Sequence, residues 1–246
     1  MKKLVGYVTC AYPDTQFTID LVLAMKEQGL DSVELGIPFS DPVADGPVIE
    51  EANMRALQRG FKFKDLIEIS RVLAPQIDTL WMGYFNPFYH RGMQESIQEA
   101  KSLGVSGFII PDLPYEEALS YRPLFDEAGI ALIDFVAPTD TSERIAKIVK
   151  DAKKFIYLVA YAGITGAQKS EDVSAVIEEI RKHTQTPVYI GFGVDEKTAK
   201  QKAQNVDGVI VGSAFIKILL DESLTNSQKI DKIAKLSGRI KELINS

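Results

Sequence analysis

One carboxylate stands where an apolar side chain is expected. Glu34 lies inside the short β-rich run Ser32–Leu35, between Val33 and Leu35. Side chains alternate along a strand, so if Val33 and Leu35 face covering helices, Glu34 points into the interior. A carboxyl group there loses water, which disfavours its charged form and moves its titration toward neutrality, where proton exchange is useful. The same position also suits a glutamate paired with a buried Lys or Arg, since structural ion pairs perturb titration too. The loop that follows carries two more carboxylates, Asp41 and Asp45, on a segment punctuated by Pro42, Gly46 and Pro47. Asp45 fits acid–base work beside Glu34 and equally fits capping of a helix with Pro47 at its first position. Asp41, held by Pro42, also reads as a solvated turn residue.

Glycine carries a second chemistry. Three loops, Ala162-Gly163-Ile164-Thr165-Gly166, Gly191-Phe192-Gly193-Val194 and Gly212-Ser213-Ala214, each follow an apolar run. Glycine lets backbone N–H groups come close to a ligand, and Ser213 opens a short helical pattern whose N-terminus attracts an anion. Each glycine alone fits a turn; three such loops at one corner point to a phosphate. Neither a GxxxxGK[ST] loop nor a dinucleotide fingerprint occurs. With two histidines, His90 and His183, and a single Cys10, neither a histidine-rich metal site nor a thiolate cage is expected. A Schiff-base lysine must project from a strand into the pocket. Lys153 and Lys154 precede a strand, Lys169 falls in a loop and Lys217 in a helical pattern, so carbon–carbon chemistry here would rest on carboxylates.

The elements that position these residues alternate regularly. Eight apolar runs recur: Val5–Thr9, Ser32–Leu35, Thr79–Tyr84, Gly107–Pro111, Ala131–Ala137, Phe155–Ala160, Val188–Gly193 and Gly208–Gly212. They are continuous rather than strictly alternating, as parallel strands covered by helices require. Between them lie helical patterns: Leu21, Val22 and Met25 in a stripe stopped by Gly29, Ser142–Ala152 behind a serine cap, Glu171–His183 and Glu196–Gln204. Strand–helix alternation repeated eight times, without a low-complexity linker, predicts an α/β chain folded as a single (β/α)8 TIM barrel over residues 1–246, ahead of a doubly wound open sheet. In such barrels the strand ends and the loops after them hold the active site.

Composition agrees with this. The 246 residues are 46% hydrophobic and 25% charged, ordinary for a globular chain with a sizeable core. A formal net charge of −6 and no basic stripe argue against a nucleic-acid surface. One cysteine demands no oxidising compartment, which fits the cytoplasm, and no apolar stretch approaches membrane-spanning length. The opening Met1–Asp14 faintly imitates a signal peptide, but its apolar run stops at Pro13, so a first strand is the better reading.

The segment Val33–Gly46, VELGIPFSDPVADG, resembles the signature of the tryptophan synthase alpha subunit family. The resemblance extends through Gly46–Leu57, Pro111–Ala118, Ala162–Ala167, Gly191–Val194 and Gly212-Ser213-Ala214. It implies a lyase of aromatic amino-acid biosynthesis that splits indole-3-glycerol phosphate, by retro-aldol cleavage, into indole and glyceraldehyde-3-phosphate. It further implies an alpha2beta2 tetramer in which indole passes by a tunnel to a beta subunit. Pyridoxal phosphate belongs to that partner, and no cofactor to this chain. By the same resemblance Glu34 is the general acid–base and Asp45 faces the indole nitrogen. Tyr84, Tyr157 and Phe192 surround the ring or support the carboxylates. Gly166, Gly193, Gly212 and Ser213 bind phosphate, and Thr165 meets Asp45 as the site closes. Pro38 and Asp41 match positions that contact and signal to the beta subunit.

Two departures from the family pattern are visible. The family's helix before the first strand has only Met1–Lys3 as its counterpart, which leaves open what fills the barrel's lower end. Ala160–Gly163 replaces a frequent S-R-S-G, so no arginine of that loop acts here. The rival readings are another phosphate-binding barrel, which should lack Val33–Gly46, and a docking subunit without catalysis, which intact Glu34 and Asp45 oppose.

Overall fold

In a computed structural model, residues 1–159 and 173–246 are described. Among the described residues nine strands form one sheet: β1 (Lys3–Thr9), β2 (Ser32–Gly36), β3 (Asp78–Met82), β4 (Gly107–Ile109), β5 (Ala131–Leu132), β6 (Asp134–Val136), β7 (Ile156–Val159), β8 (Val188–Gly191) and β9 (Gly208–Val211). Every pairing is parallel, in the order β5-β4-β3-β2-β1-β9-β8-β7-β6. The two ends of that order are halves of one chain run. β5 and β6 are separated only by Ile133, whose N–H still donates to Phe108 O at 2.9 Å. The ring is therefore closed by eight chain runs, the eight read from the sequence, with helices between them.

Two apolar layers follow from strand alternation. Inside the ring, Val5, Leu80, Ile109, Ala131, Ile133, Phe155 and Ile210 fill the centre. Outside it, side chains such as Val33, Leu35, Trp81 and Ile190 pack under the helices. Towards the lower end of the barrel, Phe155 and Tyr189 stack with ring centroids 4.4 Å apart.

Several boundaries are tighter than the periodicity suggests. The helix of the Ser142 segment is Ser142–Val149, and its cap is Thr141, whose hydroxyl accepts from Arg144 N–H, rather than a serine. The Glu196 segment narrows to Ala199–Lys202, because Asp195 and Thr198 tie the preceding residues into a loop. Glu171 lies outside the described residues, and the helix after it is Ser174–His183.

At the lower end of the sheet a polar clasp joins neighbouring strands. Asp78, at the start of β3, accepts from Ser32 Oγ (2.7 Å), Ser106 Oγ (2.6 Å) and Lys154 Nζ (2.8 Å). Burial alone would raise this carboxyl, but the bonds from Lys154, Ser106 and Ser32 outweigh it and hold it below its usual range. A depressed carboxylate stabilises the fold above its ordinary value and loses that contribution as pH falls through the folded value. Asp78→Ala is expected to lower unfolding free energy by about 2 kcal/mol at pH 7, with the gap narrowing below about pH 4. Urea denaturation at the two pH values checks this; a loss independent of pH would contradict the clasp.

Candidate active site

A cavity of ≈970 Å3 opens at the ends of the strands. The inner core residues Ile109, Ile133 and Ile210 line it, and the loops after the strands make its walls. Glu34, Asp45, Tyr157, Phe192, Gly193, Gly212 and Ser213 all line this one space. Tyr84 lies behind the wall, buried, and reaches the site through the loop after β2. Thr165 and Gly166 lie outside the described residues.

Glu34 is 2% exposed, in the middle of β2, with Val33 and Leu35 turned outward into the helical layer. Among the described residues it forms no ion pair, and its Oε1 has no hydrogen-bond partner. The buried ion-pair alternative is thereby set aside. Burial first, and the charge of Asp45 second, push its carboxyl up to about 8. It therefore holds its proton at neutral pH.

Asp45 sits at the lip of the same space. It does not cap the following helix: the N-cap of Pro47–Gln58 is Gly46, with Pro47 in the first turn, and no side chain bonds that end. Its carboxylate instead receives Asn53 Nδ2 at 3.1 Å, and the Tyr84 hydroxyl beside it also favours its charged form. The Tyr84 hydroxyl also accepts the Ala44 backbone N–H at 3.0 Å, and its ring stacks on Phe39 at 5.3 Å. Burial raises Asp45 to about 6 despite the bonds from Tyr84 and Asn53, which lower it. Two carboxyls in one cavity are thus pushed apart, one protonated and one mostly ionised at pH 7.

Tyrosines complete the wall. Tyr157 on β7 stacks on Phe135 of β6 (5.0 Å), and burial followed by the charges of Glu34 and Asp45 raises its phenol. Its hydroxyl lies over Gly191, where an added Cβ would stand 2.2 Å away. Tyr7 on β1 repeats this geometry: paired in register with Glu34, it lies over Gly36, where a Cβ would stand 2.3 Å from its hydroxyl. Sequence reading passed over Tyr7, Asn53 and Phe135. The first was legible in principle, because alternation from Val5 puts Tyr7 inside; Asn53 looks like any polar residue of an amphipathic helix.

In the loop after β8, Phe192 at φ +84° and Gly193 at φ +66° are consecutive left-handed residues, and both line the cavity. Gly212 is the N-cap of Ser213–Leu220, and among the described residues no side chain caps this helix end. With Ser213 and Ala214 lining the cavity, an uncapped helix N-terminus faces the space, a setting that favours a phosphate. Lys217 of the same helix also lines it. Pro38 is buried and Asp41 exposed, its Oδ2 accepting from Ser40 Oγ at 2.6 Å; neither lines the cavity. No cluster of three metal-ligating side chains occurs among the described residues.

The arrangement can hold a flat apolar ring between tyrosines, offer one acid and one base to it, and seat an anion at the far wall. Comparison with known proteins points the same way. A family model described as tryptophan synthase alpha chain matches residues 1–245. The tryptophan synthase alpha chain of Wolinella succinogenes is 58% identical over 247 residues, covering 100% of this chain and 97% of its own. The crystal structure of tryptophan synthase subunit alpha from Legionella pneumophila superposes with a TM-score of 0.89 at 30% identity, over 99% of this chain and 93% of that one. Ligand-free tryptophan synthase from M. tuberculosis gives 0.88 at 29% identity, over 100% and 94%.

The unpaired Glu34 makes a prediction about stability. A carboxyl raised in the fold keeps its proton longer than in the unfolded chain, so it destabilises the fold as pH rises from about 4.5 toward 8. Glu34→Gln removes that penalty. It is expected to raise the melting temperature by several degrees, about 4 °C or more, at pH 9 and by little at pH 4.5. Equal shifts at both pH values in scanning calorimetry would contradict the burial of an unpaired carboxyl.

Proposed function

The chain belongs to the tryptophan synthase alpha chain family, and from that premise we propose how its residues carry out the family's reaction. The reaction is retro-aldol cleavage of indole-3-glycerol phosphate to indole and glyceraldehyde-3-phosphate, a carbon–carbon lyase step of tryptophan biosynthesis. The partner is the tryptophan synthase beta subunit, which holds the pyridoxal phosphate and takes up the indole in an alpha2beta2 tetramer. We read residues 1–246 as one domain and the location as cytoplasmic; no helix among the described residues is long and apolar enough to cross a membrane.

The single observation that carries the mechanism is the placement of two carboxyls in one cavity, Glu34 buried on β2 with Oε1 unpartnered among the described residues and Asp45 at the rim receiving Asn53 Nδ2, so that burial pushes Glu34 up further than Asp45. Breaking the bond from indole carbon three to the glycerol chain directly would leave a poor carbanion, so carbon three must first gain a proton. Protonated Glu34 supplies it. Positive charge then develops on the ring, and ionised Asp45 accepts the proton of the ring N–H. Glu34, now a carboxylate, takes the proton of the adjacent glycerol hydroxyl as the aldehyde forms and the carbon–carbon bond breaks. The bonding pair returns to the ring, and Asp45 gives the nitrogen its proton back. Both carboxyls end as they began. Each positioned acid or base supplies on the order of 10²–10⁴ in rate.

Around this pair, Tyr157 and Phe192 wall the ring and Tyr84 fixes Asp45, on the geometry given above. Gly193, Gly212 and Ser213 seat the phosphate at the helix N-terminus, with Gly166 joining them. Thr165, outside the described residues, is assigned beside Asp45 by the family resemblance alone. Pro38 and Asp41 lie on the loop after β2 that continues to Asp45, which suits them to carry contact with the beta subunit to the carboxylate.

The test is release of indole from indole-3-glycerol phosphate by the purified chain, alone and with a tryptophan synthase beta subunit. Slow cleavage that rises strongly when the beta subunit is added is expected. Glu34→Gln should lower kcat by at least about 10²-fold with substrate binding retained. Near-full activity of the variant would refute the assignment of Glu34, and no cleavage in either setting would leave a docking subunit.

A further inference from the structure

Tyr7 has a property that neither packing nor the reaction scheme uses. An apolar ring would fill its place on β1, yet it carries a hydroxyl into a site 3% exposed, and Gly36 on the neighbouring strand leaves the room that hydroxyl needs. The hydroxyl faces Asn53 Oδ1 at 3.5 Å, a long bond, while the other end of that amide donates to Asp45 Oδ2 at 3.1 Å. Asn53 is itself 1% exposed, on the inward face of the helix Pro47–Gln58 beside Ala52 and Ala56. The two ends of a carboxamide have nearly the same shape, so only the chemistry of its neighbours decides which end faces Asp45.

We propose that Tyr7 is a positioning residue for the cleavage: its hydroxyl holds the carbonyl end of Asn53, so that the N–H end stays turned to Asp45 throughout the reaction. This rests on Asp45 being the base of the mechanism above. While Asp45 is ionised it accepts only, and by itself attracts the amide N–H. Once it has taken the ring proton it can donate, and its hold on that orientation weakens. Tyr7 keeps the orientation through that interval, because its proton is its only donor and Asn53 Oδ1 the acceptor facing it. Burial first, and the charges of Asp45 and Glu34 with it, hold the phenol well above its ordinary range, so it remains a donor at any working pH.

The groups facing Asp45 are Tyr7 on β1, Glu34 on β2, Tyr84 after β3, Tyr157 on β7, and Glu50 and Asn53 on the helix that follows it. Of these, Asn53 lowers Asp45 by donating to it, so a freed amide lets Asp45 rise. In Tyr7→Phe, which keeps the ring, kcat should fall about fivefold with KM unchanged. The acid limb of the kcat profile should move up by about half a pH unit. Asn53→Ala should move the limb in the same direction and further, and Y7F should add nothing in the N53A background. Carbon-13 titration of the Asp45 carboxyl without substrate, in the full chain and in Y7F, reads the same shift independently of turnover. It therefore still decides the question if the cleavage itself is not observed. An Asp45 titration and acid limb unmoved by Y7F, or losses in Y7F and N53A that simply multiply, would overturn the proposal and leave Tyr7 a packing residue.

Discussion

The site depends on withholding a countercharge from Glu34. A carboxyl in the interior of a closed parallel barrel has lost most of its water, and protein interiors ordinarily answer this with a lysine or arginine. Here the described neighbours on β1, β3 and β7 are tyrosine, leucine and tyrosine, and the nearest charge of consequence is another carboxylate, Asp45. That choice weakens the fold locally, and in the proposed mechanism it is what leaves Glu34 a proton to give at neutral pH. A paired glutamate would stay ionised and have no proton to give. The rest of the structure can be read as support for an unpaired acid. The polar clasp around Asp78 and the inner apolar layer sit below it, and Asp45 is held at the rim by Tyr84 and Asn53.

Much of this was legible in the residues. Glu34 betrayed itself by interrupting an apolar run, and strand alternation alone turned it inward. The eight runs and the closing order of the sheet follow from the same alternation of apolar strand and amphipathic helix. The sheet's nominal ninth strand is only the Ala131–Ala137 run interrupted at Ile133. Of the glycines read as phosphate loops at the ends of β8 and β9, Gly193 takes a left-handed φ and Gly212 caps a helix, and both line the cavity.

What was not legible depends on contacts distant in sequence. Spacing left Asp45 equally suited to capping and to catalysis; the capping reading is set aside by Gly46, which takes the N-cap, while Asn53, eight residues on, donates to the Asp45 carboxylate. Tyr7 reads as one more aromatic residue of a core strand until β1 and β2 are laid side by side and the missing Cβ of Gly36 appears beneath its hydroxyl. Helix ends were overextended where a side-chain bond stops the helix early, as Asp195 and Thr198 do before Ala199. The family resemblance supplied the chemistry, since spacing alone cannot name a substrate. It could not supply the local partners of Asp45, and those set how that carboxylate is held.

Glu34 carries a proton at neutral pH because it is buried without a partner among the described residues. The most direct measurement is the titration of its own carboxyl, by carbon-13 labelling of the glutamates and assignment through Glu34→Gln. A midpoint near pH 8, falling when Asp45→Asn removes the neighbouring charge, is the expected result. A midpoint near 4.5, unmoved by that substitution, would show a solvated carboxylate and contradict the assignment of Glu34 as the acid.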